Sequence, residues 1–390
     1  MARPMDIAPV GPARLPDSGL GRGWEAAAVM GLTLLVLSFG LVTLYSASSV
    51  FALSQGVSDT FYVVRQGAGA IVGLALLVFC AWMPYRYWAL LAWPLVVVSV
   101  GMLILCVLPW TYGIAPEING ARRWLRVGVT IQPSEVAKIA IIVWSSAMAV
   151  RKVPHFKSLR RGLGPFLAVW GLVIGLVTMA PDLSTALVVA TLGIVIVFSA
   201  GARVAHFVFL GALGTPVLYL LLRAPYRWER IKVFGGQLAD PSGAGYQVKQ
   251  SLIGFGSGGV YGVGFGEGQQ KHGFLPEAHN DFIFAMIGEE WGFVGIVLVV
   301  GVYAALVLVG FRIASRAPDL FGELLAIGCT SLIAVQATLH MAVGLALAPA
   351  TGLALPLMSY GRSNLIITLI ALGILISVAR TAPGGKAAHV

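Results

Sequence analysis

Four carboxylates crowd the stretch FLPEAHNDFIFAMIGEEWG, residues 274–292: Glu277, Asp281, Glu289 and Glu290. The chain has only sixteen acidic residues, so a quarter of them fall just ahead of a long apolar run. A carboxylate can act as a general base when its pKa is tuned toward the working pH. Asp281 is the best placed of the four. If residues 281–309 formed one continuous helix, it would run roughly 44 Å at about 1.5 Å per residue. That exceeds a hydrocarbon core of about 30 Å. The first turns, with Asp281, would then stand above the core or line a cavity in it. The structural alternative is a helix cap, since HND before FIFAMI is a good capping sequence. Glu289 and Glu290 would lie about 12–14 Å deeper, where an acid is costly unless it faces water or a cation. A structural ion pair or helix-end contact is the favoured reading for both.

Other groups are less decisive. His279 could be a ligand or a base, although a lone interfacial His is more often a satisfied hydrogen-bonding group. Glu135 and Lys138, in IQPSEVAK, are further charges at a buried edge. Pro133 suits the first turn of a helix and Glu135 its positive end. No HExxH, nucleophile elbow or kinase signature occurs. Residues 254–268, GFGSGGVYGVGFGEG, hold eight glycines and a GxGxxG match at Gly254, Gly256 and Gly259. A dinucleotide site would need a strand before it and a helix after it, and neither is expected there. The glycines are expected to permit a close-packed or mobile backbone beside a bulky substrate. Cys80, Cys106 and Cys329 lie in apolar runs and read as small buried hydrophobes, with no disulfide or zinc pattern.

These groups must be held by membrane helices. The chain of 390 residues is 58% hydrophobic and 11% charged, against about 25% charged in soluble domains. An all-α polytopic membrane protein follows. The +10 charge points to an acidic membrane surface rather than nucleic acid, for which no groove or motif is present. Spans of about twenty residues are expected near 26–48, 66–83, 88–109, 133–150, 165–180, 183–200, 204–222, 290–310, 322–345 and 364–380. Pro181 should end one helix and Asp182 cap the next.

Arg151, Lys152, Lys157, Arg160 and Arg161 share one loop. Loops of the same parity hold Arg86, Arg203, Arg312 and Arg316, and the tails hold Arg3, Arg14, Arg22, Arg380 and Lys386. The positive-inside rule then puts both termini in the cytoplasm. Residues 1–25 should be a disordered tail without a cleavable signal, 26–380 the membrane unit and 381–390 a second tail. The outer face would carry loops near 110–132, 223–289 and 346–363. The first of these holds Arg122, Arg123 and Arg126, against the charge rule. Either it binds an anion or its arginines are salt-bridged or face lipid phosphates.

NGARRWLRVGVTIQPSEVAK (119–138), PDLSTALVV (181–189), residues 245–292 and PATGLALPLMSYGRSNLI (349–366) together resemble the SEDS family (shape, elongation, division, sporulation). The resemblance covers nearly the whole chain from the first helix onward. It implies ten membrane helices and peptidoglycan glycosyltransferase activity on lipid II at the outer face of the bacterial cytoplasmic membrane. ARRW and LPEAHNDFIFAMIGEE look more like the division branch than the elongation branch. The family's catalytic aspartate falls on Asp281. Arg122, Arg123, Lys271, Glu135, His279 and Ser359 are then the expected substrate-binding groups. A divalent cation, Mg or Mn, could assist, although no closed ligand set is visible.

The resemblance also implies a class B penicillin-binding protein transpeptidase and other division-machinery membrane proteins as partners. SYGRSN stands where the family usually has SYGGSS, so Arg362 and Asn364 replace small residues. His340 stands where Asn is common. A lipid II flippase or transporter is the rival function, with a non-catalytic scaffold as a third. Transport needs a polar path through the span, whereas the charged side chains here cluster toward one face.

Overall fold

The computed structural model describes residues 23–117, 120–234 and 243–381. The rest of both expected tails, with Arg3, Arg14, Arg22 and Lys386, lies outside the described residues, as does Asn119. The helices are α1 (Trp24–Ser54), α2 (Phe61–Trp82), α3 (Trp88–Val107), α4 (Pro133–Lys152), α5 (Gly164–Met179), α6 (Leu183–Ser199), α7 (Val204–Leu222), α8 (Pro225–Phe234), α9 (Ala244–Gly258), α10 (Ile283–Ser315), α11 (Leu320–Gly344) and α12 (Arg362–Thr381). A hairpin of β1 (Leu125–Val127) and β2 (Val129–Ile131) precedes α4, with Arg126 paired to Thr130.

Ten of the helices occupy the ten expected spans, and α8 and α9 are short helices of the long loop. Eight segments are long and apolar enough to cross a membrane; α6 is apolar but shorter. The all-helical, multi-pass architecture expected from composition is therefore present.

Burial divides the bundle. α4, α11 and α12 are its interior, with side chains such as Trp144, Leu325 and Leu372 fully enclosed. α2 crosses α12 closely: a methyl at Gly373 would lie 2.5 Å from the Leu77 carbonyl. Small residues serve such contacts in membranes, where packing replaces the hydrophobic drive. At the other extreme, α7 buries no residue in the bundle.

α5 ends at Met179, and the Asp182 side chain caps α6 by accepting from the Thr185 amide at 3.2 Å. Both features are as the sequence suggests. α10 departs from expectation. It starts at Ile283 rather than near 290, and it is not continuous. Gly292 breaks it with φ 65° and ψ −160°.

Candidate active site

The break in α10 explains the glycine-rich segment. Residues 259–264 enter the gap and satisfy the backbone groups that the broken helix leaves open. Val263 and Gly264 amides donate to the Glu289 and Glu290 carbonyls at 3.0 and 3.2 Å. Phe293 and Val294 amides donate to the Gly259 and Val260 carbonyls at 2.9 and 3.1 Å. Non-helical backbone at membrane depth is tolerated only where protein or water satisfies it. The glycines thus give close packing. The half-helix before the break is enclosed from Ile283 to Glu290, and this fixes the chain that carries Asp281.

The loop between α11 and α12 supplies the other wall. Residues 345–361 tuck into the bundle, where Leu355, Leu357, Met358 and Ser359 are buried. Gln66 of α2 holds the loop twice, donating to the Ser359 carbonyl at 2.9 Å and accepting from the Gly361 amide at 3.2 Å. His340 of α11 bonds the Leu353 carbonyl through Nδ1 at 2.7 Å. Ser184 donates to the Thr351 carbonyl at 2.8 Å. This loop brings Gly352 beside Asp281: a methyl added there would lie 3.6 Å from Asp281 Oδ2. The tie from His340 accounts for its place in α11.

Asp281 itself is partly buried. Its amide donates to the Glu277 carbonyl at 3.0 Å, in a turn where Glu277 adopts φ 54°. The carboxylate caps nothing. The N-cap of α10 is Phe282, without a side-chain bond, and no hydrogen bond or ion pair among the described residues engages the Asp281 carboxylate. Burial, and then the neighbouring Glu277, push its pKa up to about 6; the charges of Arg230 and Arg123 oppose the rise. A free carboxylate tuned toward neutrality, and felt electrostatically by two guanidinium groups, is chemically equipped to accept a proton.

The two arginines are held by backbone carbonyls. Arg230 of α8 donates to the Ala350 carbonyl at 2.9 Å. Arg123 donates through one terminal nitrogen to the Pro181 carbonyl, while its Nε is buried without a partner. Next to Pro181, α5, α6 and α7 line an open apolar cavity of about 380 Å³. Ile174, Thr178, Leu183, Leu213 and Leu221 are among its lining residues.

The remaining expected site residues serve other contacts. Arg122 donates to the Ala115 and Leu108 carbonyls at 2.9 and 2.7 Å and to Thr111 Oγ1 at 2.7 Å, with its plane over Tyr112. It holds the loop after α3. Lys271 is buried against Glu290 at 3.3 Å, Ser46 Oγ at 3.2 Å and the Gly266 carbonyl. Glu289 accepts from the Gln269 amide at 2.9 Å. The deeper acids therefore make the structural contacts favoured for them. Glu135 pairs with Lys138 at 2.7 Å and accepts from Asn364 at 3.1 Å, so Asn364 of SYGRSN ties α12 to α4. Arg362 packs its stem near Gly69 and makes no ion pair among the described residues. Ser359 accepts from the Leu355 amide at 2.9 Å and closes a turn.

His279 is an aromatic wedge. Its ring stacks on Phe51 with centroids 5.0 Å apart and meets Tyr62 at 4.9 Å. Its carbonyl accepts from the Tyr360 amide at 3.1 Å. Burial lowers its pKa to about 4, so it is neutral at physiological pH. His279→Phe should therefore retain most activity, whereas His279→Ala should lose stability by roughly 2–4 kcal/mol, as for other large-to-small core changes. A folded but inactive His279→Phe would instead make the imidazole a substrate contact. Sequence reading passed over Arg230 and Gln66. Neither lies in a chemical motif, and only the folding of the long loop and the last loop brings them here.

No group of three or more His, Cys, Asp or Glu side chains among the described residues could hold a metal ion. Among the carboxylates, Glu277 is the one whose charge acts on Asp281.

Known proteins share this architecture. A family model described as "Cell cycle protein", covering FtsW, RodA and SpoVE, matches residues 26–383. A "Probable peptidoglycan glycosyltransferase FtsW" from Trichlorobacter lovleyi is 40% identical over 343 residues, covering 87% of this chain and 89% of that protein. Stage V sporulation protein E of Bacillus subtilis is 40% identical over 353 residues, covering 90% and 95%. Among solved structures, one described as "Structural coordination of polymerization and crosslinking by a peptidoglycan synthase complex" contains a chain that is 30% identical. It aligns with a TM-score of 0.75 over 90% of this chain and 96% of that one. The rod shape determining protein RodA of Thermus thermophilus aligns at 0.65 with 29% identity, covering 91% and 96%. With a match along almost its whole length, the chain belongs to the FtsW/RodA/SpoVE family, the SEDS proteins.

Proposed function

We propose that this chain is a division-type peptidoglycan glycosyltransferase that joins lipid II units into glycan at the outer face of the bacterial cytoplasmic membrane. The observation that carries the proposal is the unengaged Asp281 carboxylate, flanked by Arg123 and Arg230. Asp281 takes the proton from the acceptor sugar hydroxyl as its oxygen attacks the anomeric carbon of the donor. The bond to the donor's pyrophosphate breaks, and the guanidinium groups stabilise the departing charge. A single displacement converts an α-linked donor into a β-linked product. The cavity between α5, α6 and α7 offers apolar walls for a polyprenyl chain. A divalent cation would add charge neutralisation at the pyrophosphate, but the described residues offer no group of three or more His, Cys, Asp or Glu to hold one, and the proton transfer assigned to Asp281 does not depend on it.

The names of the similar FtsW proteins support the division role. Polymerisation and crosslinking are named together for the complex that contains the solved relative. We extend that pairing here, with a class B penicillin-binding protein as the crosslinking partner. Purified protein with labelled lipid II tests the function. Glycan polymer is expected, while movement of lipid II across liposomes without polymer would make the protein a flippase. On the positive-inside rule we assign both termini to the cytoplasm. A cysteine at Ser158, in the basic loop, should then stay unlabelled by impermeant thiol reagents in intact cells, and rapid labelling would invert the orientation.

A further inference from the structure

We propose that Gln132 and Asp182 are positioning residues that aim Arg123 at the substrate pyrophosphate; this rests on the proposed role of Arg123 as a phosphate contact. Asp182 is 7% exposed and has no cationic partner among the described residues. Capping α6 uses one oxygen, Oδ1, on the Thr185 amide. The other oxygen is spent outside the helix. Oδ2 accepts from Ser134 Oγ at 3.2 Å and from Gln132 Nε2 at 3.3 Å. Gln132 directly follows β2, and its amide donates to Ser363 Oγ at 3.1 Å, at the start of α12. Arg123 lies just before β1 and donates to the Pro181 carbonyl.

The hairpin segment is thus fastened at both ends to one dipeptide, Pro181–Asp182. Arg123 enters it and Gln132 leaves it. Between these fixed points the Arg123 Nε is buried with no acceptor. A buried donor without a partner is costly, the more so when it is charged. A phosphate oxygen is an acceptor that relieves it with a strong, charge-assisted bond. The clasp also sits at the end of the cavity, whose lining includes Thr178 and Leu183 on either side of Pro181–Asp182. A lipid-linked pyrophosphate with its chain in that cavity would meet Arg123 at this point.

The test is a double-mutant cycle on the full chain, read as kcat, KM and melting temperature in lipid II polymerisation. Gln132→Leu removes the clasp and leaves the α6 cap untouched. Asp182→Asn keeps a carbonyl oxygen for the Thr185 amide. Each should lower kcat/KM by roughly 10- to 100-fold, the size of effect that a misplaced group produces, with little change in melting temperature. In an Arg123→Ala background each should add almost nothing, because the group being aimed is gone. A fully active Gln132→Leu, or equal losses with and without Arg123, would overturn the positioning role while leaving the glycosyltransferase reading intact. Full activity of Arg123→Ala would remove the phosphate contact and this inference with it. Absence of polymer from the unsubstituted protein would instead overturn the function itself.

Discussion

Asp281→Asn should give a protein that inserts and accumulates normally and melts no lower than the parent, yet makes no glycan. Asn is nearly isosteric with Asp and is as good a helix cap. A cap would therefore survive the change, and the structure shows that the carboxylate caps nothing. An amide cannot accept the hydroxyl proton, and loss of a general base typically costs about 10²–10⁴-fold in rate. The pH dependence follows from the carboxyl's position at about 6. The active form is deprotonated, so kcat/KM should rise with pH through about 6 and then level off.

Stability runs the other way. Folding raises this pKa above its ordinary 3.8, so the folded protein binds the proton more tightly than the unfolded chain. Ionisation then opposes the fold, with no penalty below about pH 4 and the full penalty above about 6. At about 1.4 kcal/mol per pKa unit the shift amounts to roughly 3 kcal/mol. Asp281→Asn should consequently be more stable than the parent at pH 8, with the gain fading as pH falls to 4. Near-normal polymerisation by Asp281→Asn in purified protein would move the search for the base to Glu277.

Gly292→Ala should cripple folding although it adds one methyl group. The backbone at Gly292 occupies φ 65° and ψ −160°, a region essentially reserved for glycine, and strain there costs about 1–3 kcal/mol. The new methyl would also lie 2.6 Å from the Val260 carbonyl oxygen and closer still to the Gly262 amide. The inserted segment would have to leave, opening four backbone hydrogen bonds across the break. Each buried unpaired group adds about 1–3 kcal/mol. The expected result is little folded protein in detergent, by size-exclusion profile after heating. Gly301→Ala, in the same helix with open space around it, should behave like the parent. Equal melting of the two variants would show that the inserted segment does not hold the break.

Much of this protein is determined locally. Ten apolar runs separated by polar or basic turns can do little but form ten helices, because a backbone in hydrocarbon must satisfy its own hydrogen bonds. Pro181 and Asp182 mark a helix boundary through effects confined to a few residues. The carboxylates before α10 stand out in a chain so poor in charge, which makes Asp281 a candidate by position, while its catalytic role rests on the family resemblance.

What the acids and arginines do was not legible. Asp281, Glu289 and Glu290 are neighbours in sequence, yet Glu290 meets Lys271 and Ser46 while the Asp281 carboxylate makes no hydrogen bond or ion pair among the described residues. Arg122 and Arg123 are adjacent, yet the first is consumed by carbonyls and the second keeps an unpaired nitrogen. The helix break is set by a segment some thirty residues earlier, and the positive charges that act on Asp281 come from α8 and the loop before β1. Such assignments depend on which groups meet across the bundle, and burial then decides their charge and reach. Local sequence sets the helices and the chemical inventory; the long-range meeting of backbones leaves one carboxylate free.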